Sequence, residues 1–167
     1  MEPRPSTLHP KPAVTKRFVA SVVREDPVPA HPVDSPGTIG DFWRDVIARQ
    51  PDYEPDKESL VIILLTARLH PFAWHRVSLG TVNETTAHPR EILRPIIIGA
   101  AHGFVLVHNH PGGVASPSEA DRSLTQRVRD AAQLMQVRFV DHVIVVDPDR
   151  RVPGREPHFS FREAGVV

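Results

Sequence analysis

The chain has 167 residues, a length that fits one domain with a sizeable core and is short for two. Hydrophobic residues make up 40% and charged residues 24%, which is typical of a globular protein and argues against a largely disordered chain. Lysine plus arginine and aspartate plus glutamate both total 20, so no global positive field attracts nucleic acid, and the lack of cysteine excludes disulfides and thiolate metal sites.

The first 36 residues are rich in proline and are predicted to form a tail. Eight of the 18 prolines lie there, and proline favours extended backbone over packed helix. Only 16–26 has strand character, and we expect it to add at most an edge strand to a single domain over 37–167. The N-terminal sequence lacks the apolar segment of a secretory signal, and the longest apolar run, at 60–65, is too short to cross a bilayer. We therefore expect a cytoplasmic protein with no membrane association.

The domain is predicted to begin with a helix and a hairpin. Over 34–49, apolar residues recur at helical spacing, which predicts an amphipathic helix of about three turns. The apolar positions are Ile39, Phe42, Trp43, Val46 and Ile47. The continuous apolar run 59–67 is short for a helix and rich in branched residues, as expected of a strand that is buried on both faces. A second strand over 73–81 follows after a short turn and completes the hairpin.

The second half of the domain alternates helices and strands. A helix is predicted over 88–102, kinked by Pro95, and the short buried strand 103–107 follows it. The clearest amphipathic pattern, over 116–136, predicts a helix, and 137–146 predicts another strand. A last short strand is expected near the C-terminus. This order predicts an α/β sandwich in which a mixed β-sheet is flanked by helices.

The sequence HNHPGG directly follows the strand 103–107. Ten histidines in 167 residues give about 0.6 His-x-His pairs by chance, so the pair alone carries little information. In an extended segment, however, residues i and i+2 point to the same side, and His108 and His110 can therefore converge on one point. Pro111 ends the strand pairing, and the two glycines allow the chain to turn sharply back.

The next helix begins where that turn ends, in the sequence SPSEAD. One assignment makes Ser116 the N-cap and Glu119 its N3 partner. Ser118 and Asp121 then lie three residues apart on one face of the first turn, toward the histidines. The alternative makes Ser118 the N-cap and Asp121 its N3 partner. We expect the first assignment, because it leaves a carboxylate and a hydroxyl for the histidine turn.

Two histidines and one carboxylate form an open site for a divalent metal, with the fourth position left for water. Zinc best fits this ligand set, and it lowers the pKa of water to about 7. A carboxylate must still accept the proton, and three glutamates are candidates: Glu58, Glu84 and Glu91. We expect Glu58, because it ends a charged turn and opens a buried strand, where the backbone is rigid. Glu91 lies in the first turn of a helix, where its carboxylate has the simpler role of complementing the helix dipole.

The spacing of these residues resembles a known motif. HNHPGGVASPSEAD resembles the JAMM motif of the JAB/MPN metalloprotease superfamily, in which His-x-His is followed by seven residues, a serine, two residues and an aspartate. The segment from GTVNETT to HNHPGG, together with DHVIVV and FSFREAG, resembles the RadC-like JAB domain, and the resemblance covers residues 38–167. It implies the JAB/MPN architecture, a cytidine-deaminase-like mixed sheet flanked by helices.

The resemblance also implies a role for each residue of the motif. Three residues would bind Zn2+: His108, His110 and Asp121. Ser118 would donate a hydrogen bond to the oxyanion of the tetrahedral intermediate. The family's glutamate stands just before the first long buried strand, where this chain has Glu58, which would take the proton of the water and pass it to the leaving amine. His142 recurs in the family pattern outside the ligand set, and we expect it to pack beside the ligands.

These features predict a zinc-dependent hydrolase of peptide or isopeptide bonds, with a peptide or protein substrate as its partner. The main alternative is a DNA-repair-associated protein that acts through DNA or protein binding without proteolysis, although the balanced charge does not support DNA binding. An HNH nuclease is a weaker alternative, because that motif disperses its residues over a ββα unit. A fourth is a scaffold that keeps the fold and the metal but has no substrate.

The sequence specifies neither the substrate nor the oligomeric state. We expect substrate contacts from the loops around 68–75 and 112–116. The segment 147–158 reads as an expanded loop, which we expect to lie away from the motif.

Overall fold

The structure is a computed structural model, and it describes residues 31–80 and 87–167. The strand expected over 16–26 lies outside the described residues. Val33 is fully buried in the same core cluster as the first helix. The predicted boundary between tail and domain after residue 36 stays a prediction.

The described helices and strands follow the predicted order along the chain. They are α1 (Pro36–Phe42), which continues as a π-helical turn (Trp43–Ile47), β1 (Glu58–Leu65), β2 (Pro71–Gly80), α2 (Pro89–Ile98), β3 (Gly103–Asn109), α3 (Glu119–Leu134), β4 (Arg138–Val145) and β5 (His158–Ser160). No helix in the described part of the chain is long and apolar enough to cross a membrane.

The five strands form one sheet in the order β2-β1-β3-β4-β5. β3 and β4 are parallel, whereas the other neighbouring strands are antiparallel. A parallel pair needs a crossover connection, and α3 supplies it between β3 and β4. The predicted mixed sheet is confirmed.

The sheet is buried on both faces, because alternate residues of its central strands point to opposite sides. One face packs on α1 and the π-helical turn, through Val61, Ile63, Leu65, Val105 and Val107. The other face packs on α2 and α3, through Leu60, Ile62, Leu64, Phe104 and Leu106. The predicted α/β sandwich, with helices flanking the sheet, is confirmed.

The strand register brings three chain segments to one end of the sheet. Leu60, near the start of β1, lies opposite His108 of β3. His108 also lies opposite Ile144, near the end of β4. The start of β1 and the ends of β3 and β4 therefore meet, and the helix α3 begins beside them.

Several helix ends differ from the prediction. α2 ends at Ile98 rather than at 102, since Gly99 caps it and Ala100 has a φ of 48°, which a helix cannot continue. Pro95 lies inside α2. α3 begins at Glu119 rather than at 116. This second difference changes how the first turn of α3 meets the two histidines.

Candidate metal centre

The two histidines of HNHPGG converge at the end of β3. His108 is almost fully buried at 1% exposure, and the backbone N–H of His110 donates to the carbonyl of Val145 at 3.0 Å, which extends the pairing with β4. Extended backbone therefore puts both rings on one side. Their Nε2 atoms are 3.1 Å apart.

The turn after the histidines depends on Gly113. Its φ of 79° favours glycine, and a Cβ at this position would clash with the backbone carbonyl oxygen of Arg150. The N–H of Val152 donates to the carbonyl of Gly113 at 3.1 Å.

The loop 147–158 therefore packs directly on the histidine turn, and the expectation that it lies away from the motif is wrong. The physical reason is the parallel pairing of β3 with β4, because the segments that follow two parallel strands leave the sheet at the same end. The same loop also contacts the segment before β1, where Arg150 pairs with Asp56 at 2.7 Å. It thus connects both segments that border the centre.

The helix cap uses Ser118 and Asp121, so the expected Ser116 and Glu119 cap is wrong. The backbone N–H and the hydroxyl of Ser118 donate to Oδ2 of Asp121 at 2.8 and 2.6 Å. The backbone N–H of Asp121 donates in turn to Oγ of Ser118 at 3.2 Å. In this register the buried aspartate receives hydrogen bonds, whereas the Glu119 side chain is 96% exposed and solvated.

Asp121 faces the histidines even though it caps the helix. Its Oδ1 lies 3.1 Å from Nε2 of His108, and its Oδ2 lies 3.6 Å from Nε2 of His110. One ligand atom from each of the three residues lies within 4.8 Å of the others. The structure thus brings together His108, His110 and Asp121, the three predicted ligands.

The charges in this cluster shift the pKa values of two residues. Burial acts to raise the pKa of Asp121, but the hydrogen bonds with His108 and His110 outweigh it and hold that pKa well below its ordinary value. Burial acts to lower the pKa of His110, but hydrogen bonding to Asp121 and to the carbonyl of Val114, with the charges of Asp121 and Glu58, raises it overall. The carboxylate of Asp121 is therefore held in its ionised form beside the two rings.

Glu58 opens β1 next to the cluster, close enough for its charge to act on His110. The side chain of Asn109, between the two histidines, holds the backbone on both sides of this glutamate. Its Oδ1 accepts from the N–H of Ser59 at 2.8 Å, and its Nδ2 donates to the carbonyl of Lys57 at 3.1 Å. The backbone of Glu58 is thus tied to the strand that carries the histidines.

Of the other two candidate bases, the structure describes only Glu91. Glu91 lies in the first turn of α2, where its half-exposed carboxylate contacts Arg90 and Arg94. Glu84 lies outside the described residues. The structure thus gives a reason to prefer Glu58, and its role stays a prediction.

Sequence comparison agrees with this fold and this cluster. A family model described as the RadC-like JAB domain matches residues 33–166. The chain belongs to the RadC-like JAB domain family.

Curated relatives of this RadC-like JAB domain are named UPF0758 protein. Those of Leptothrix cholodnii and Burkholderia thailandensis are each 34% identical over 154 residues, or 92% of this chain. The relative from Chlorobium chlorochromatii is 34% identical over 128 residues, or 77% of this chain. These matches cover 62%, 52% and 53% of the respective relatives. The chain therefore spans about half of their length or slightly more.

The donor set of the RadC-like JAB domain fits a divalent metal. Nδ1 of His110 lies 2.9 Å from the carbonyl oxygen of Val114, so this nitrogen carries a proton and donates. The neutral ring then presents a lone pair at Nε2, beside His108 and the carboxylate of Asp121. Two imidazole nitrogens and one carboxylate lie close enough to share one ion, and imidazole with carboxylate suits zinc.

Two residues of the RadC-like JAB domain escaped the sequence-based prediction. Asn109 lies between the predicted ligands, and Thr125 lies one helical turn after Asp121. Thr125 and His142 are fully buried, and His142 contacts His108 at 2.9 Å and stacks on Phe161. The i, i+4 spacing from Asp121 was the available signal for Thr125.

Proposed function

We propose that this domain is a zinc-dependent hydrolase of peptide or isopeptide bonds. The observation that carries the proposal is the convergence of three side chains: two imidazoles from the end of β3 and one carboxylate from the first turn of α3. The strand that Glu58 opens starts beside them. His108, His110 and Asp121 would hold the metal. When bound, zinc would supply Lewis acidity, which polarises the scissile carbonyl and makes water more acidic.

Glu58 would move the proton in this reaction. Its carboxylate would accept a proton from the attacking water and deliver it to the leaving amine, a role that requires a rigid position within hydrogen-bonding reach of both. The clamp from Asn109 to the residues on either side of Glu58 supports this role, because it fixes the backbone that carries the carboxylate.

Ser118 would stabilise the oxyanion that develops on the substrate carbonyl. Its hydroxyl has one proton, and it donates that proton to Asp121 at 2.6 Å. The hydroxyl must therefore rotate from Asp121 toward the substrate during the reaction. The backbone N–H of Ser118, which also donates to Asp121, keeps the carboxylate in place while the hydroxyl turns.

Metal content and hydrolysis test the proposal separately. We expect about one zinc per chain in the purified protein by mass spectrometry of the metal, and a large loss of zinc in Asp121→Asn. Less than about half a zinc per chain, unchanged in Asp121→Asn, would contradict the metal centre.

Hydrolysis is measured on libraries of peptide-linked and isopeptide-linked substrates. Glu58→Gln should keep its zinc and lose hydrolysis by about 100-fold or more. Glu91→Gln is the matched control and should cleave at the wild-type rate. A Glu58→Gln protein of full activity would move the base role to another residue.

A further inference from the structure

A buried row of hydrogen-bonded side chains runs beneath the candidate metal centre. Nδ1 of His108 lies 2.9 Å from Nε2 of His142, whose Nδ1 lies 2.6 Å from the hydroxyl of Thr125. The hydroxyl lies 2.6 Å from the backbone carbonyl oxygen of Asp121. His142 and Thr125 are 0% exposed, so water cannot supply other partners to these atoms.

The hydroxyl of Thr125 determines which group donates in each hydrogen bond of the row. A hydroxyl has one proton and makes two short contacts here. The carbonyl oxygen of Asp121 can only accept, so it takes the hydroxyl proton. The other contact is a hydrogen bond only if Nδ1 of His142 carries a proton and donates it to the oxygen of Thr125.

The remaining proton positions follow from this one. The ring of His142 is fully buried, stacks on Phe161 and has His108 and Thr125 as the partners of its two nitrogens. Burial without a charged partner favours the neutral ring, which has one N–H. Its Nε2 is therefore an acceptor. His108 must donate to it from Nδ1. When the ring of His108 is neutral, its lone pair therefore lies on Nε2, the atom that faces Asp121 and His110.

We propose that Thr125 and His142 are positioning residues that hold the proton of His108 on Nδ1, so that Nε2 presents its lone pair to the metal. The inference rests on the proposed function for the presence of the metal. Hydrogen bonds from ligating histidines to neighbouring groups orient the ring and select the tautomer. In this chain the partner is a second, neutral histidine rather than a carboxylate.

The row also joins two of the predicted ligands. It begins at His108 in β3 and ends at the backbone of Asp121 in α3, and it passes through His142 in β4. The carboxylate of Asp121 thus faces Nε2 of His108, while its backbone carbonyl accepts the hydrogen bond that ends the row leading to Nδ1 of the same ring. A change at Thr125 should therefore act on the metal centre although this residue touches no ligand atom.

Nitrogen NMR of the imidazole rings tests the proton positions directly in the wild-type chain. In metal-free protein, Nδ1 of His108 and Nδ1 of His142 should both give the signals of protonated nitrogens, and Nε2 of His142 that of a bare nitrogen. Zinc should change the signal of His108 Nε2 and leave its Nδ1 protonated. A bare Nδ1 in His108, or a proton on Nε2 of His142, would overturn the proposal without any variant.

Two variants of Thr125 test the link to metal affinity. Thr125→Val keeps the shape and removes the acceptor, so both rings should populate mixed tautomers and zinc should bind about 10- to 100-fold more weakly. Thr125→Ser keeps the hydroxyl and should retain the wild-type signals and affinity. If a folded Thr125→Val protein has wild-type ring signals and zinc affinity, the proposal is wrong.

Failure of the proposed function looks different in these experiments. A chain with the expected ring protons that cleaves no substrate would contradict the hydrolase and leave the positioning row intact. Zinc titration by calorimetry, in which no bond is cleaved, gives the affinity independently of any substrate.

Discussion

Replacing Asn109 by alanine should loosen the glutamate that opens β1 without removing a predicted metal ligand. Asn109 is 3% exposed and makes two hydrogen bonds, to the N–H of Ser59 and to the carbonyl of Lys57. The alanine variant orphans the N–H of fully buried Ser59, which costs about 1–3 kcal/mol, and the carbonyl of Lys57, which water reaches more easily. We expect a loss of about 2–4 kcal/mol in the free energy of unfolding.

The effect on hydrolysis should exceed the effect on zinc. A displacement of about 1 Å in a catalytic group can cost about 100-fold in rate, so kcat should fall by that order. Zinc affinity should change little, because the backbone of His108 and His110 stays paired with β4. Urea unfolding, zinc titration and substrate cleavage measure the three quantities.

Amide hydrogen exchange gives a readout that needs no substrate. The N–H of Ser59 should exchange rapidly in Asn109→Ala and stay protected in Asn109→Asp, which keeps the accepting oxygen. Gln50→Ala is the matched control, because it removes another amide that donates to a backbone carbonyl, that of Val46 at 3.0 Å. If folded Asn109→Ala keeps both a protected Ser59 amide and wild-type kcat, the clamp does not hold Glu58.

Three further predictions concern the turn, the cap and pH. Gly113→Ala should destabilise the protein by more than about 1 kcal/mol in urea unfolding, because φ is positive and the carbonyl of Arg150 occupies the space of a Cβ. Ser118→Ala should lower the free energy of unfolding by about 1 kcal/mol and kcat by about 100-fold. Ser35→Ala, which removes the cap of α1, is the control and should lower stability alone. Equal kcat values in the two variants would contradict the oxyanion role of Ser118. The pKa of His110 is raised in the folded protein, so the charged ring stabilises the metal-free fold. This contribution to the free energy of unfolding is complete below pH 6.5, the ordinary pKa of histidine, and is lost as the pH rises through the raised pKa. Zinc needs the neutral ring, so zinc affinity should rise over the same pH window. Calorimetry should therefore show zinc affinity rising with pH where thermal unfolding shows metal-free stability falling. If both quantities change in the same direction, His110 is not the group responsible.

The sequence predicted the sheet and its helices because the hydrophobic periods were strong. The continuous apolar run over 59–67 is best buried as a strand that is covered on both faces. The pattern over 116–136 is best buried as an amphipathic helix. The convergence of His108 and His110 followed from the two-residue period of an extended chain.

The cap register was wrong because two equivalent boxes overlap in SPSEAD. The pairs Ser116 with Glu119 and Ser118 with Asp121 have the same three-residue spacing of a capping box. Only the tertiary environment distinguishes the two pairs. The prediction assumed that a capping carboxylate is unavailable to the histidines. A carboxylate has two oxygens and about four lone pairs, however, and Asp121 uses them for both purposes.

The contacts of the loop 147–158 and of Thr125 could not be read from local patterns. The loop meets Gly113 only because β3 and β4 are parallel neighbours, and that pairing depends on the whole topology. Thr125 meets His142 across the space between α3 and β4. Such contacts depend on how two elements are oriented, which the periodicity of either element does not specify.

The cap of α3 also determines how Asp121 can act as a ligand. Oδ2 accepts two hydrogen bonds from Ser118, at 2.8 and 2.6 Å, and is held toward the helix backbone. Oδ1 is the oxygen that faces His108, at 3.1 Å. Oδ2 in turn lies 3.6 Å from Nε2 of His110. His108, His110 and Asp121 would hold a metal through two imidazoles and one carboxylate, a ligand set typical of zinc sites that also bind water or substrate. The cap of α3 thus orients the carboxylate that would share the metal with the two histidines.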